Sequence, residues 1–254
     1  MNNGLQTLFT GRQMIHLETV DSTNSFINKL LLHDRLPEGA AILSHEQTAG
    51  RGQAGEQWIS EQGKNILVSI IYYPSFISIQ RVFMLSKAFS LGVYDCIREI
   101  LREDVKIKWP NDIYFRNKKL GGILIENSIR NSVLNHTLLG IGLNLNQEVF
   151  PATLPNPVSL KMILGKELDL HEFFNGLCNS LEHRYLQLKA GHTEDINEDY
   201  LNALYRFGEF HDYQNNAEKF KGKITGIGDD GKIMMIRENG IIEKYDFKEV
   251  RFVI

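Results

Sequence analysis

The sequence predicts an α+β fold: a large domain of strands packed with helices, followed by a small all-β barrel. Three observations carry that prediction. Up to about position 206, runs rich in β-branched and aromatic residues are interspersed with stretches at helical spacing. After Phe207 the texture changes to short alternating strands separated by Asn-Asn, Asp-Asp-Gly and Asn-Gly turns. The chain, at 254 residues, is long enough to bury one full core and a smaller one beside it. The expected division is therefore residues 1–206 and 207–254.

The elements follow in order. Residues 14–20 (MIHLETV) read as a short strand. Asp21, Ser22, Thr23 and Asn24 offer helix N-caps, and SFINKLLLH continues as an amphipathic helix. AAILSHEQ is a strand that runs into a Gly-rich loop, TAGRGQAGEQW, and NILVSIIYYP is a strand closed by Pro74. Residues 80–102 place apolar side chains at helical spacing over about six turns. VKIKW is a strand broken by Pro110, IYFRNKKLGGILIEN a hairpin turning near Arg116–Lys118, and HTLLGIGLNLN a strand alternating small and large residues. Helices are expected at 168–189 and 194–206. In the terminal part, Asp230-Gly231 and Asn239-Gly240 are read as type I′ hairpin turns.

Composition excludes several classes. Hydrophobic residues make up 43% and charged residues 23%, as in soluble globular proteins. A net charge of −3 lacks the basic field of a bulk nucleic-acid binder, and no DNA partner is expected. Cys96 and Cys178 lie in apolar helical stretches without a CxxC spacing, so a reducing cytoplasm fits. No apolar run approaches the roughly 18 residues that cross a bilayer, and no membrane partner is expected.

Two regions carry chemistry. Gly50-Arg51-Gly52-Gln53-Ala54-Gly55 follows a strand, and its glycines let backbone N–H groups approach an anion while Arg51 adds a fixed cation. The loop is neither a Walker A sequence nor a dinucleotide fingerprint, and alone it equally describes a flexible turn. Trp58 beside it is placed to stack on a purine or simply to fill a core. From Lys106 to Lys119, five basic residues face a single acid, Asp112. An Asp among lysines suits Mg²⁺ and phosphate oxygens, or else a solvated hairpin tip. The glycine pair in Lys119-Leu120-Gly121-Gly122 marks a close approach inside a strand, and Gly140-Ile141-Gly142-Leu143-Asn144 repeats the device.

Taken together, these motifs resemble the biotin protein ligase family. The matching segments, in order, are Asp21–Asn24, Glu46–Gly52, Trp58, Lys108–Asp112, Lys119–Glu126 and Gly140–Asn144. The resemblance implies a mixed sheet of the class II synthetase-like biotin/lipoate ligase fold and a C-terminal SH3-like barrel. It implies an enzyme that activates biotin with ATP and Mg²⁺ as biotinyl-AMP. Biotin then passes to a lysine of a biotin carboxyl carrier protein. The enzyme would work as a monomer or homodimer.

By the same resemblance, Ser22, Thr23, Asn24 and Gln47 hold the biotin ring, and Gly50, Arg51 and Gly52 close over its tail and the adenylate phosphate. Lys119, flanked by Gly121 and Gly122, binds the carboxylate and, with Arg51, serves catalysis. Trp58 and Asn144 receive adenine. Lys108, Asn111 and Asp112 serve the ATP phosphates, with Asp112 as the Mg²⁺ ligand. Many relatives carry further arginines where this chain has Gln53, Ala54 and Glu56. Only 13 residues precede the first strand, so the helix-turn-helix domain of about 60 residues found in repressor relatives is not expected. The arginine-glycine motif of lipoate-attaching enzymes is absent.

Overall fold

The computed structural model describes residues 4–102 and 104–254, so positions 1–3 and 103 of the expected first domain lie outside it. The chain runs β1 (Met14–Val20), α1 (Thr23–Leu30), β2 (Ala41–Gln47), β3 (Ile66–Tyr72), α2 (Phe83–Leu101), β4 (Val105–Lys108), β5 (Asp112–Phe115), β6 (Lys118–Arg130) and β7 (Val133–Leu143). It continues through α3 (Leu160–Leu164), α4 (Leu170–Lys189) and α5 (Thr193–Ala203) to β8 (Phe210–Asn215), β9 (Lys219–Ile227), β10 (Ile233–Arg237), β11 (Ile242–Tyr245) and β12 (Val250–Phe252). The expected α+β class holds. A seven-stranded mixed sheet has the order β1-β2-β3-β7-β6-β5-β4, with only β1 and β2 parallel. A five-stranded antiparallel sheet follows, in the order β11-β10-β9-β8-β12.

The alternation of the central strands decides what each face of the large sheet does. On one face, Ile66, Val68, Ile70 and Tyr72 of β3 join Leu139, Ile141 and Leu143 of β7, Ile123 of β6 and Ile113 of β5 in the main core. That face is closed by α2, α4 and α5, whose buried residues include Leu85, Phe89, Leu177, Leu181 and Tyr200. On the other face one cross-strand row reads Lys108, Asp112, Gly122, Gly142, Leu67. The neighbouring row reads Leu124, Gly140, Ser69, Ile42. Glycines on this face leave a trough in the sheet, because side chains on one strand alternate with period two.

Several details depart from the sequence reading. α1 begins at Thr23, with Ser22 as N-cap but no side-chain capping bond. The neighbouring cap candidates Thr23 and Asn24 use their hydroxyl and amide groups elsewhere, as described below. α3 and β12, with five and three residues, are too short to show a period in the sequence. The hairpin turns are not type I′: Gly231 (φ 84°) and Gly240 (φ 83°) adopt positive φ, but Asp230 and Asn239 do not. In the second turn the Gly240 N–H donates to the Arg237 carbonyl, and the Arg237 N–H donates to the Ile241 carbonyl. That is the longer loop in which glycine follows an ordinary turn at a bulge.

The segment leading into β1 is fixed by one carboxylate. Glu182 on α4 is 4% exposed and accepts the backbone N–H groups of Leu8, Phe9 (3.0 Å) and Thr10 (2.8 Å). Glu182→Ala strands these donors and is expected to lower stability by about 2–3 kcal/mol, read as the midpoint shift in urea unfolding.

The small sheet is latched to the large one at the end of β4. Trp109, 2% exposed, donates its indole N–H to the Gly231 carbonyl at 2.9 Å. Its ring lies 5.3 Å from that of Phe247, which in turn meets Phe83 of α2. The connecting segment is tied to each side in turn, Leu204 pairing with Ile107 of β4 and Phe207 with Ile224 of β9.

Candidate functional site

The glycine face of the large sheet is the floor of a cavity of about 640 Å³, open to solvent between the sheet, the 50–58 loop and the small β unit. A volume of this size is in the range of small-molecule sites. At one end lie Ser22, Thr23, Asn24 and Gln47, with Gly140 beneath them. Here the first turn of α1 contributes side chains to a hydrogen-bond chain. Thr23 donates both its N–H (2.9 Å) and its hydroxyl (3.1 Å) to Gln47 Oε1. Ser69 Oγ bonds Thr23 Oγ1 at 2.6 Å and also reaches Asn24 Oδ1. A Cβ at Gly140 would stand 2.7 Å from Asn24 Oδ1, so glycine there is what lets Asn24 lie flat on the strand.

The middle of the cavity carries the loop. Between Gly50 and Trp58 the chain folds back on itself: Trp58 N–H donates to the Gly50 carbonyl at 2.9 Å, and Arg51 pairs with Gln57. Gly50 is needed for that closure, because a Cβ would meet the Trp58 carbonyl oxygen at 2.4 Å. The indole of Trp58 then lies over the sheet trough, where a Cβ on Gly142 would be 2.4 Å from its Cε2. Arg51, Gly52 and Trp58 all line the cavity, and Arg51 Nη2 lies 2.9 Å from Glu126 Oε1.

At the other end, Lys108, Asn111, Asp112 and Lys119 come together. Lys119 reaches this face through a β-bulge. Asp112 pairs with Gly122, but Tyr114 pairs with Lys119, leaving Leu120 as the extra residue with its side chain fully buried. The bulge moves Lys119 to the same face as Asp112, as bulges near sites commonly re-aim a side chain. Its ammonium bonds Asp112 Oδ1 at 2.7 Å and stands 5.8 Å from the Trp58 ring. Lys108 sits over the rings of Tyr114 and Phe252, each at 5.0 Å. Burial pulls its pKa below the usual lysine value, partly offset by Asp112. Asn111 donates its amide to the Ile123 carbonyl at 2.7 Å, which fixes the turn after Pro110.

Three expected positions do not line the cavity: Gly50, which is packed against the Trp58 backbone, and two that fall behind the wall. Asn144 does not line the cavity: it is 4% exposed and spends its amide on the Val158 carbonyl at 3.1 Å. The expectation that it receives adenine therefore has no geometric support. Gly121 faces the core, where a Cβ would sit 2.2 Å from Leu143 Cδ2, so it serves packing rather than ligand approach.

Other residues were not read from the sequence. Phe247, Lys248, Arg251 and Phe252 of the small β unit complete the wall beside Lys108. The signal for Arg251 was one basic residue in a three-residue strand, too little to notice. Glu126 lay inside a matched segment, and its parity with Gly122 and Leu124 on β6 already put it on the cavity face.

The arrangement supplies cations and amides, and neither cysteine belongs to it. Burial pushes the Cys96 thiol up to about 12 and raises Cys178 as well, so neither is a thiolate at neutral pH. Among the described residues no group of three or more His, Cys, Asp or Glu side chains is poised around a metal. No helix there is long and apolar enough to cross a membrane.

A polar pocket leading to cations on a glycine-lined sheet has the layout of a binding site for a small polar or anionic molecule. Residues 16–144 match the model of the biotin/lipoate A/B protein ligase family, and the chain belongs to that family. It is 29% identical over 245 residues to the bifunctional ligase/repressor BirA of Bacillus subtilis, covering 95% of this chain and 75% of that protein. Against the biotin–[acetyl-CoA-carboxylase] ligase of Paracoccus denitrificans it is 29% identical over 226 residues, covering 86% of this chain and 92% of that one. The biotin protein ligase of Aquifex aeolicus, solved in complex with biotin and ATP, superposes with a TM-score of 0.77 at 26% identity, covering 95% of this chain and 100% of that one.

Proposed function

We propose that this chain is a biotin–protein ligase that forms biotinyl-AMP from biotin and ATP and then biotinylates a lysine of a biotin carboxyl carrier protein. The observation that carries the reading is that Arg51 and Lys119, from separate motifs, line one cavity between the Ser22–Gln47 pocket and the Lys108–Asp112 corner. The pocket's alternating donors and acceptors suit a cyclic urea, with the acid tail running under the 50–58 loop toward Lys119.

A carboxylate is a poor electrophile and must first be activated. In the first step its oxygen attacks the α-phosphorus of ATP, the new O–P bond replacing the bond to pyrophosphate. Arg51 and Lys119 hold the two anions together and offset charge on the transferring oxygens. Asp112 gives one carboxylate, a donor set that fits Mg²⁺ carried on a nucleotide rather than an all-protein metal site. Bound there, Mg²⁺ would neutralise phosphate charge. Trp58 would take the adenine face.

In the second step the neutral amine of the acceptor lysine attacks the acyl carbon, AMP leaves with the bonding pair, and the ammonium proton goes to solvent. Lys119 would stabilise the tetrahedral oxyanion. Residues 1–206 would form the catalytic domain, and 207–254 a unit that closes the nucleotide end.

Incubation with ATP, Mg²⁺, biotin and a biotin carboxyl carrier domain is expected to add one biotinyl group to the carrier, read as a mass shift. Transfer of lipoate in place of biotin, or no ATP-dependent shift, would refute the assignment.

A further inference from the structure

Among the described residues, Glu126 is the acidic side chain that joins the loop to the pocket. Its Oε1 holds Arg51 Nη2 at 2.9 Å, while its Oε2 accepts the Asn24 amide at 2.8 Å. Asn24 is itself 2% exposed, and its own Oδ1 accepts from Ser69 Oγ. The amide is thus oriented from both ends, donor toward Glu126 and acceptor toward Ser69. The carboxylate is anchored on β6 opposite Leu138 of β7, and its side chain is 28% exposed. Arg51, at 50% exposure, has no other ion pair among the described residues. A guanidinium carries five N–H donors in a fixed fork, so one nitrogen on Glu126 leaves the others to face the cavity.

From this geometry we infer that Glu126 is a positioning residue: it sets the angle at which Arg51 meets the ligand anion and, with its other oxygen, the orientation of the Asn24 amide in the pocket. The inference rests on the proposed ligase reading for the identity of that anion, but not for the clamp itself. The ion pair is partly exposed and contributes little to stability, so its consequence is orientation. Among the described residues the other carboxylates near the cavity do not duplicate it: Asp112 is taken by Lys119, and Glu56 makes no ion pair with Arg51.

Three substitutions, used in four variants, separate the two arms. Glu126→Gln keeps a carbonyl oxygen for Asn24 and loses the charge that holds Arg51. Glu126→Ala loses both. Arg51→Ala, alone and combined with Glu126→Gln, tests whether Glu126 acts through Arg51. The first readout is trypsin cleavage after Arg51 in the ligand-free protein, followed by mass spectrometry. Glu126→Gln is expected to raise that cleavage rate at least about fivefold, since a released loop opens more often. An unchanged rate overturns the clamp.

The second readout is biotin-dependent pyrophosphate release. Glu126→Gln is expected to lower kcat roughly tenfold with the KM for biotin within about twofold. Glu126→Ala should in addition raise that KM by about five- to tenfold. In the Arg51→Ala background, Glu126→Gln should change kcat by less than about twofold; losses that simply multiply would overturn the coupling. A Glu126→Ala variant with the Glu126→Gln KM would overturn the Asn24 arm. If the wild-type protein releases no pyrophosphate with biotin, the ligase reading fails, and the trypsin comparison still decides the clamp.

Discussion

Lys119→Ala is expected to lower biotin-dependent pyrophosphate release by more than about a hundredfold, the usual loss when a charged donor to a developing oxyanion is removed. The effect should fall on kcat, because the ammonium is proposed to gain most where charge concentrates between carboxylate and α-phosphate. The fold should survive. The backbone of Lys119 is held independently of its side chain, its N–H on the Asn156 carbonyl (2.9 Å) and its carbonyl on the Val158 N–H (2.9 Å). Its side chain is 28% exposed, so truncation opens no core cavity. Asp112 loses its ion-pair partner but keeps Lys108 opposite it across β4 and β5. Lys119→Arg should recover only part of the rate, since a planar fork does not replace a compact ammonium beside Trp58. Wild-type rates in Lys119→Ala, with an unshifted unfolding midpoint, would remove Lys119 from the mechanism.

Why Lys119 matters was only half legible in the sequence. The alternation Gly140-Ile141-Gly142-Leu143 does say that one face of a strand is bare and the other buried, and the structure has that arrangement. The same alternation rule misleads at Lys119. Counting back by twos from Gly122 puts Leu120, not Lys119, on the cavity face. Only the pairing register, with its extra residue against β5, corrects this.

Gly121 and Asn144 fail for a related reason. Each sits beside a bare position, but its own side chain, or the place where one would be, points toward Leu143 or the Val158 carbonyl. No local pattern reports how the 156–160 segment packs there. The face of Glu126 is legible but its role is not, because its partners Arg51 and Asn24 arrive from the loop after β2 and from α1, contacts of long sequence separation. The helix cap at Asp21–Asn24 was read by type correctly and by use incorrectly. Thr23 and Asn24 give their polar atoms to Gln47, Ser69 and Glu126 rather than to the helix end. Conflict between a local rule and the observed bonding is a usual mark of a functional site.

The seam at Trp109 allows the role of the small β unit to be tested apart from the rest. Trp109→Ala removes a 2%-exposed indole together with its bond to Gly231, and is expected to cost about 3–5 kcal/mol in unfolding free energy. Trp109→Phe keeps a ring against Phe247 and loses one hydrogen bond, a change of about 1 kcal/mol. Being milder, it leaves a folded protein for kinetics. Loosening this latch displaces Phe247, Arg251 and Phe252, which stand beside Lys108, whereas Ser22, Thr23 and Gln47 are held by α1 and β2 at the far end. The KM for ATP should therefore rise about three- to tenfold in Trp109→Phe while the KM for biotin changes less than about twofold. Equal shifts in both constants would mean that the latch supports the whole sheet rather than the nucleotide end. An unchanged ATP constant would mean that the small unit stabilises the fold without shaping the site, and the cationic wall at Arg251 would then play no part in holding the phosphates.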